Sequence, residues 1–406
     1  MPAVYLLATL DTKGPDAAFV CERLRALGIS VVVVDTGVIG PPTSASDIVR
    51  DAVFEAAGTR LADVISRGDR GAAIEAAARG AARIVAEAWK RGDLAGVLGL
   101  GGSAGTTIGA AAMRALPLGV PKLMVSTLAS GQVRPFVGDK DILMLNAVVD
   151  IAGVNRISRA IYGQAAAAMT GMVRFALPAG ESPSKPLIAA TMFGVTTPCV
   201  LRAKEILEAA GYEVLVFHAT GNGGQALESL AQEGLLAGVL DITTTELADE
   251  LVGGILSAGP DRLTAAARQG IPQVVSVGAL DMVNFGPRDS VPARFAGRQF
   301  HVHNANVTLM RTTAAENAEL GREIAAKVAA SLGPASILLP LRGVSAIDRA
   351  GGVFDDPAAR AALFQSIRTH RGSSELIELD CHINDPLFAE TAANKLLKML
   401  AERRQT

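Results

Sequence analysis

Laid over itself with a displacement of 183 positions, the chain repeats. The stretch VYLLATLDTKGPDAAFVCERLRALGISVVVVDTG (4–37) falls on LIAATMFGVTTPCVLRAKEILEAAGYEVLVFHAT (187–220), so that Pro15 meets Pro198, Leu24 meets Leu207, Gly28 meets Gly211 and Asp35 meets His218. Each copy reads as an apolar strand, a polar turn, a helix opened by proline and closed by glycine, and a second apolar strand. Proline suits the first helical turn, where its missing N–H would have no partner, and glycine suits the position just past the end. A strand–helix–strand unit of this kind takes a right-handed crossover and parallel strands. The repeat continues more loosely: AGVLGLGGSAGTT (95–107) answers to AGVLDITTTELAD (237–249), and GVPKLMVSTLASG (119–131) to GIPQVVSVGALDM (270–282). The fold class this dictates is α/β, with two Rossmann-like parallel-sheet domains related by internal duplication and a cleft expected between them.

The halves differ in what is added. The first inserts a helical segment at roughly Ser46 to Arg91, and Val148 to Phe175 also reads as largely helical. Leu177–Pro186 is rich in helix breakers and reads as a linker, which sets the domains at 1–180 and 186–406. Beyond its fourth strand the second half is expected to add strands at Gln299–His303, Ser336–Pro340 and Leu376–Asp380. Helices are expected at Thr313–Ser331, Pro357–His370 and Asp385–Ala401.

Composition excludes several classes of function. A formal charge of −2 offers no basic footprint for nucleic acid. No run of about 18 apolar residues suggests a membrane span. The start MPAVYLLATLDTKG has no basic n-region and reaches Asp11 too soon for a signal peptide. Cys21, Cys199 and Cys381 are odd in number, far apart and free of any CxxC pattern, which suits reduced thiols in a cytoplasm.

In open parallel sheets ligands bind at the carboxyl ends of the strands, so the turns there carry the chemistry. In Gly96–Thr107 an apolar run breaks into a glycine-rich turn and then a helix, expected to start near Thr106–Thr107. Free N–H groups and the dipole at such a helix start make an anion site. Asp11-Thr12-Lys13-Gly14 follows the first strand. There Lys13 can neutralise phosphate oxygens, Thr12 can donate to them and Asp11 can hold a metal; the bland alternative is a capped turn before Pro15. Asp35-Thr36-Gly37 ends the second strand, where dinucleotide folds often set an acid against a ribose. Gly99-x-Gly101-x-x-Ala104 fits the loose dinucleotide fingerprint but follows the third strand, and no acid stands about 20 residues on. Gly101-x-Ser103-x-Gly105 fits a nucleophile elbow, making Ser103 a candidate hydrolase serine, yet all five histidines lie in the second half. Phosphate cradling needs only the backbone and the hydroxyls already present.

In the second half, His218–Gly224 repeats the strand, glycine turn and helix pattern. Thr243 with Glu246 forms a potential capping box, while Asp241 at the strand tip is harder to dismiss as structural. His301 and His303 share one face of a strand without an evident third metal ligand. Asp385 reads as a helix N-cap followed by Pro386, and His382 beside it is the preferred general acid–base candidate. Asp241, His382 and Asp385 are therefore the catalytic candidates.

Taken together, LATLDTKG (7–14), GGSAGT (101–106), PKLMVSTLASG (121–131), DIAGVNRISR (150–159), ATMFGVTTPCV (190–200), HATGNGG (218–224), DITTTELADELVGG (241–254), PLRGVSAID (340–348) and HINDP (382–386) resemble the Tm-one-like ATP-binding proteins. That family is related to the N-terminal region of a tomato mosaic virus resistance protein, and its bacterial members were long uncharacterised. The resemblance implies two Rossmann-like domains, ATP and Mg2+ bound by the first, and a homo-oligomer. Carried over by residue, it implies nucleotide contacts at Thr12, Lys13, Thr36, Gly37 and the Gly101–Thr106 turn (Gly101, Gly102, Ser103, Gly105, Thr106); Asp11 joins this cofactor site as the candidate Mg2+ ligand read from the first turn. Many relatives read GGSGGT where this chain has Ala104. The expected function is ATP–Mg2+ binding in an ATP-dependent enzyme acting on a small carboxylated or phosphorylated metabolite held between the domains. The alternatives are a non-catalytic nucleotide-binding regulatory module and a Ser103 hydrolase.

Overall fold

Strand β1 (Ala3–Ala8) is buried along its whole length. Val4 and Leu6 pack into one apolar cluster and Tyr5 and Leu7 into another. Two covered faces are what a parallel sheet requires, and they explain why its strands read as continuous apolar runs. The computed structural model describes residues 2–175 and 185–403, and the chain divides into two units, Met1–Glu181 and Ser182–Thr406. The expected linker lies, as far as Ser184, outside the described residues.

In the first unit β1 is followed by α1 (Leu10–Ala26), β2 (Val31–Asp35), α2 (Arg50–Ala56), α3 (Leu61–Arg67), α4 (Arg70–Lys90), β3 (Leu94–Gly101), α5 (Ser103–Arg114), β4 (Lys122–Ser126), α6 (Arg134–Val137), β5 (Leu143–Asn146) and α7 (Arg156–Arg174). The five strands form a parallel sheet in the order β2-β1-β3-β4-β5. Helices α1 and α7 cover one face; α2 to α5 cover the other. The chain runs outward from β1 to β2 and then returns to β3 on the far side of β1. The crevice at the ends of β1 and β3 is thus the topological switch point, where such sheets take their ligands.

Two expectations for this unit change. The segment Ser46–Arg91 is three helices rather than one, the last opened by Asp69, whose carboxylate accepts from Ala72 N at 3.0 Å. The helix expected from Val148 begins only at Arg156. Asn155 Oδ1 accepts from the N–H groups of Ile157 (2.9 Å) and Ser158 (3.0 Å), and Ser158 Oγ accepts from Asn155 N in a reciprocal capping box. Residues 148–155 form a loop behind β5.

The second unit contains β6 (Leu187–Met192), α8 (Thr197–Ala209), β7 (Glu213–His218), α9 (Asn222–Gln232), β8 (Leu236–Thr243), α10 (Thr245–Val252), α11 (Ala265–Arg268), β9 (Gln273–Gly278), β10 (Met282–Phe285), β11 (Phe300–Asn304), β12 (Val307–Arg311), α12 (Ala314–Ala329), β13 (Ala335–Pro340), α13 (Pro357–His370), β14 (Glu375–Leu379) and α14 (Pro386–Arg403). Its parallel sheet runs β14-β13-β9-β8-β6-β7, which repeats the order of the first unit and adds one strand. The duplicated segments take matching places in the two orders: β6 and β7 correspond to β1 and β2. A separate antiparallel sheet, β10-β12-β11, was legible in the sequence only as β11. Among the described residues no helix is long and apolar enough to cross a membrane.

Candidate functional site: a phosphate-type cradle in the first unit

The glycine turn between β3 and α5 is one residue long. A Cβ on Gly101 would stand 2.6 Å from the Cα of Gly105, so only glycine lets the strand end pass this close to the helix. Helix α5 starts at Ser103, three residues earlier than expected, with Gly102 as an N-cap that offers no side chain. The N–H of Thr106 returns to the Gly102 carbonyl at 2.8 Å, while those of Ser103, Ala104 and Gly105 find no acceptor among the described residues. They are the unsatisfied donors of a helix start, at the positive end of its dipole. Ala104 is already helical with negative φ, so replacing a glycine there costs the turn nothing.

Helix α1 likewise starts earlier than expected. Asp11–Gly14 is its first turn, with a kink at Lys13 (φ −124°, ψ 15°), and Pro15 lies beyond that kink. Its N-cap, Thr9, makes no side-chain capping bond. The Lys13 ammonium donates to the Ile151 carbonyl, which anchors it and leaves two of its three donors. Asp11 Oδ2 accepts from the N–H groups of Val38 (3.0 Å) and Ile39 (2.7 Å), folding the loop after β2 over the helix start. Asp35 is buried and accepts from Leu10 N (3.0 Å) and Gly37 N (2.9 Å); burial pushes its carboxyl up. The acid expected against a ribose instead ties two loops together.

These turns converge on one pocket of about 210 Å³, lined by Asp11, Thr12, Lys13, Thr36, Gly102, Ser103 and Gly105. Gly37, Gly101 and Thr106 do not line it. Thr106 is fully buried, its hydroxyl 2.7 Å from Ser126 Oγ, so it links α5 to β4. Sequence reasoning missed Arg70, the exposed first residue of α4, which joins the rim together with Ile39 and Ile74. Its signal was a lone arginine at the start of a helix, in an insertion read only as helical. Ser103 lacks the strained backbone of a nucleophile elbow, and the first unit contains no histidine.

The catalytic candidates of the second unit are occupied structurally. Asp241 is sealed, accepting both terminal nitrogens of the fully buried Arg262 (2.6 and 2.7 Å) and the Thr191 hydroxyl (2.7 Å). The Thr243–Glu246 capping box does not form: Thr243 Oγ1 donates to the Thr191 carbonyl, and α10 begins only at Thr245. Glu246 instead reaches the start of α9. There Oε1 accepts from Gly221 N (2.7 Å) and Gly224 N (3.0 Å), while Oε2 accepts from Arg262 Nε (2.7 Å). An internal carboxylate thus sits on the second unit's glycine turn, where an external anion would sit on an open one. His382 uses both ring nitrogens: Nε2 lies 2.8 Å from the Ser345 carbonyl, and Nδ1 accepts from Asn384 N at 3.1 Å. That pair of partners fixes the Nε2–H tautomer. Asp385 Oδ2 accepts from His382 N at 2.8 Å. His301 packs edge-on against Phe354, and His303 is exposed at the end of β11. Among the described residues no group of three or more His, Cys, Asp or Glu side chains could hold a metal.

Fold and site together define a two-unit α/β protein with Rossmann-like parallel sheets, the first carrying an open cradle at its switch point. The chain belongs to the uncharacterised protein family UPF0261, whose N-terminal domain matches residues 2–178 and whose C-terminal domain matches 185–400. It is 48% identical to a UPF0261 protein of Clostridium tetani, with 98% of each chain covered, and 51% identical to one of Rhizobium meliloti, with 97% of this chain and 98% of that one covered. It is also 39% identical to the tomato (Solanum lycopersicum) ToMV resistance protein Tm-1(GCR237), covering 99% of this chain and 56% of that protein. Solved structures similar to it include the Streptomyces glycosyltransferase SsfS6 complexed with thymidine diphosphate, covering 98% of this chain and 99% of that one (13% identity, TM-score 0.19). Another is S. aureus MnaA with UDP, covering 99% and 97% (12%, TM-score 0.23). Likeness of that size says nothing about activity.

Proposed function

We propose that the first unit binds ATP with Mg2+ in the pocket at the switch point. The observation that carries this reading is the uncapped start of α5, whose three unpartnered N–H groups border a pocket also lined by Thr12, Lys13, Thr36 and Arg70. Oriented backbone donors with two nearby cations are the arrangement that holds phosphate oxygens. The apolar side chains of Val38, Ile39, Ile74 and Ile108 supply a wall for the less polar part of the ligand. At about 210 Å³ the pocket falls below the roughly 300–1,000 Å³ of sites that enclose a whole drug-sized ligand, so it suits one end of the nucleotide. Mg2+ needs few protein ligands when phosphates supply the rest. Asp11 would provide one: its Oδ2 is held by the Val38 and Ile39 N–H groups, while Oδ1 has only the Thr12 hydroxyl at 3.3 Å. The ion would neutralise phosphate charge.

The second unit supports no matching nucleotide site, because Glu246 already holds the start of α9. With Asp241 sealed against Arg262 and both ring nitrogens of His382 bonded internally, the observations favour nucleotide binding over catalysis through those residues. Equilibrium binding of a fluorescent ATP analogue, displaced by ATP–Mg2+ and by inorganic triphosphate, tests the reading. Displacement by both supports it; no binding of the analogue refutes it. A screen for ADP release across small carboxylated and phosphorylated metabolites, repeated with His382→Ala, then separates enzyme from binding module.

A further inference from the structure

A second pocket, of about 260 Å³, lies at the ends of β4 and β5 in the first unit and is lined by Thr127, Ser130, Asn146, Val148, Val149 and Asp150. It flanks the same helix start as the first. A Cβ on Gly102, the α5 N-cap, would stand 3.6 Å from Thr127 Oγ1, and Asp150 adjoins Ile151, whose carbonyl receives the Lys13 ammonium. The space is well above the roughly 10–15 Å³ that one ordered water fills.

The lining has a definite chemistry. The hydroxyls of Thr127 and Ser130 and the Asn146 amide nitrogen make no hydrogen bond among the described residues. Asp150 Oδ1 accepts from Ile151 N at 2.8 Å, which leaves Oδ2 for a ligand. No lysine or arginine lines the pocket. Hydroxyls, an amide and one carboxylate oxygen match the O–H groups of a neutral molecule, while the carboxylate repels an anion.

The backbone is strained at the same place. Val148 has φ 63° although β-branched, and the residue is 67% exposed. A β-branched residue in the left-handed region is an outlier that the surroundings must enforce, and such outliers cluster at ligand sites. Here the enforcement is local: Asn146 Oδ1 accepts from Val148 N at 3.1 Å, and the Ala147 carbonyl accepts from Val149 N at 2.7 Å.

We infer that this pocket is a second binding site, for a neutral, polyhydroxylated small molecule. Its role as the partner ligand of the nucleotide rests on the reading given above; its own chemistry does not. Saturation-transfer NMR on the full chain with glucose, myo-inositol and glucuronate, with and without ATP–Mg2+, tests it. A neutral polyol is expected to be saturated, with glucuronate at least tenfold weaker. Thr127→Val and Asp150→Asn are each expected to weaken the polyol at least fivefold. No saturation of either neutral polyol by the wild type, or unchanged polyol affinity in both variants, overturns the inference. Calorimetric titration of ATP–Mg2+ into the same proteins keeps the two readings apart. Polyol binding without ATP binding removes the nucleotide and leaves this site; ATP binding without polyol binding does the reverse.

Discussion

Replacing Glu246 tests whether an internal carboxylate fills the anion seat of the second unit. Its Oε1 satisfies two backbone N–H groups at the start of α9, and its Oε2 satisfies Arg262 Nε, all in a fully buried setting. Alanine leaves two buried donors unpaired, each costing about 1–3 kcal/mol, and removes one partner of a buried ion pair, for which losses of about 3–5 kcal/mol are typical. The terms overlap, and Arg262 keeps Asp241 at 2.6 Å, so the expected cost of Glu246→Ala is about 4 kcal/mol. Glutamine keeps one acceptor oxygen and should cost about 2 kcal/mol. Urea unfolding followed by far-UV circular dichroism reads the loss, and hydrogen exchange at Gly221–Gly224 localises it. Trp89, the chain's one tryptophan, lies on α4 and reports the first unit separately. With the carboxylate gone, added phosphate should stabilise Glu246→Ala by more than it stabilises the wild type. A cost below about 1 kcal/mol, or identical phosphate responses, would refute the reasoning.

Asp281 is fully buried and its carboxyl is pushed up to about 7, first by burial and then by the charge of Asp348, against the opposing pull of Arg311. The native state therefore holds a proton that the unfolded chain releases near pH 4, so this group makes stability fall as pH rises from about 4 to about 7. Asp281→Asn should flatten that part of the stability–pH curve and leave the variant more stable than wild type at pH 8; an unchanged slope in chemical denaturation excludes it. A Cβ on Gly37 would meet the Asp11 carboxyl carbon at 2.7 Å, so Gly37→Ala should displace the loop after β2 and weaken ATP at least tenfold in calorimetry while the fold survives. Thr106→Val removes the buried bond to Ser126 and should cost about 1 kcal/mol in urea unfolding with ATP affinity unchanged, since Thr106 does not line the pocket.

The sequence made the convergence of Asp11–Lys13, Thr36 and Gly102–Gly105 legible, because a parallel sheet puts all strand ends on one edge and the duplication identified the strands. The fates of individual side chains were not legible, since each depends on a partner distant in the chain. Asp35 is claimed by Leu10 N, Thr106 by Ser126, Asp241 by Arg262 and His382 by the Ser345 carbonyl. Asp35 also illustrates the limit of position as a guide: it stands where a ribose-binding acid stands, yet the loops close over it. Strands β10 (MVNF) and β12 (VTLMR) escaped because four or five residues that mix apolar with polar side chains carry no period that separates them from a loop. Arg70 escaped because its relevance comes only from where α4 begins.

The most direct test of the central claim is a calorimetric titration of ATP–Mg2+ into the wild-type chain, Lys13→Ala and Arg70→Ala. One nucleotide per chain is expected, with at least a tenfold loss in Lys13→Ala, a smaller loss in Arg70→Ala, and weaker binding at higher salt, as for partly exposed cations facing phosphate. Two nucleotides per chain, or an affinity indifferent to both substitutions, would contradict it.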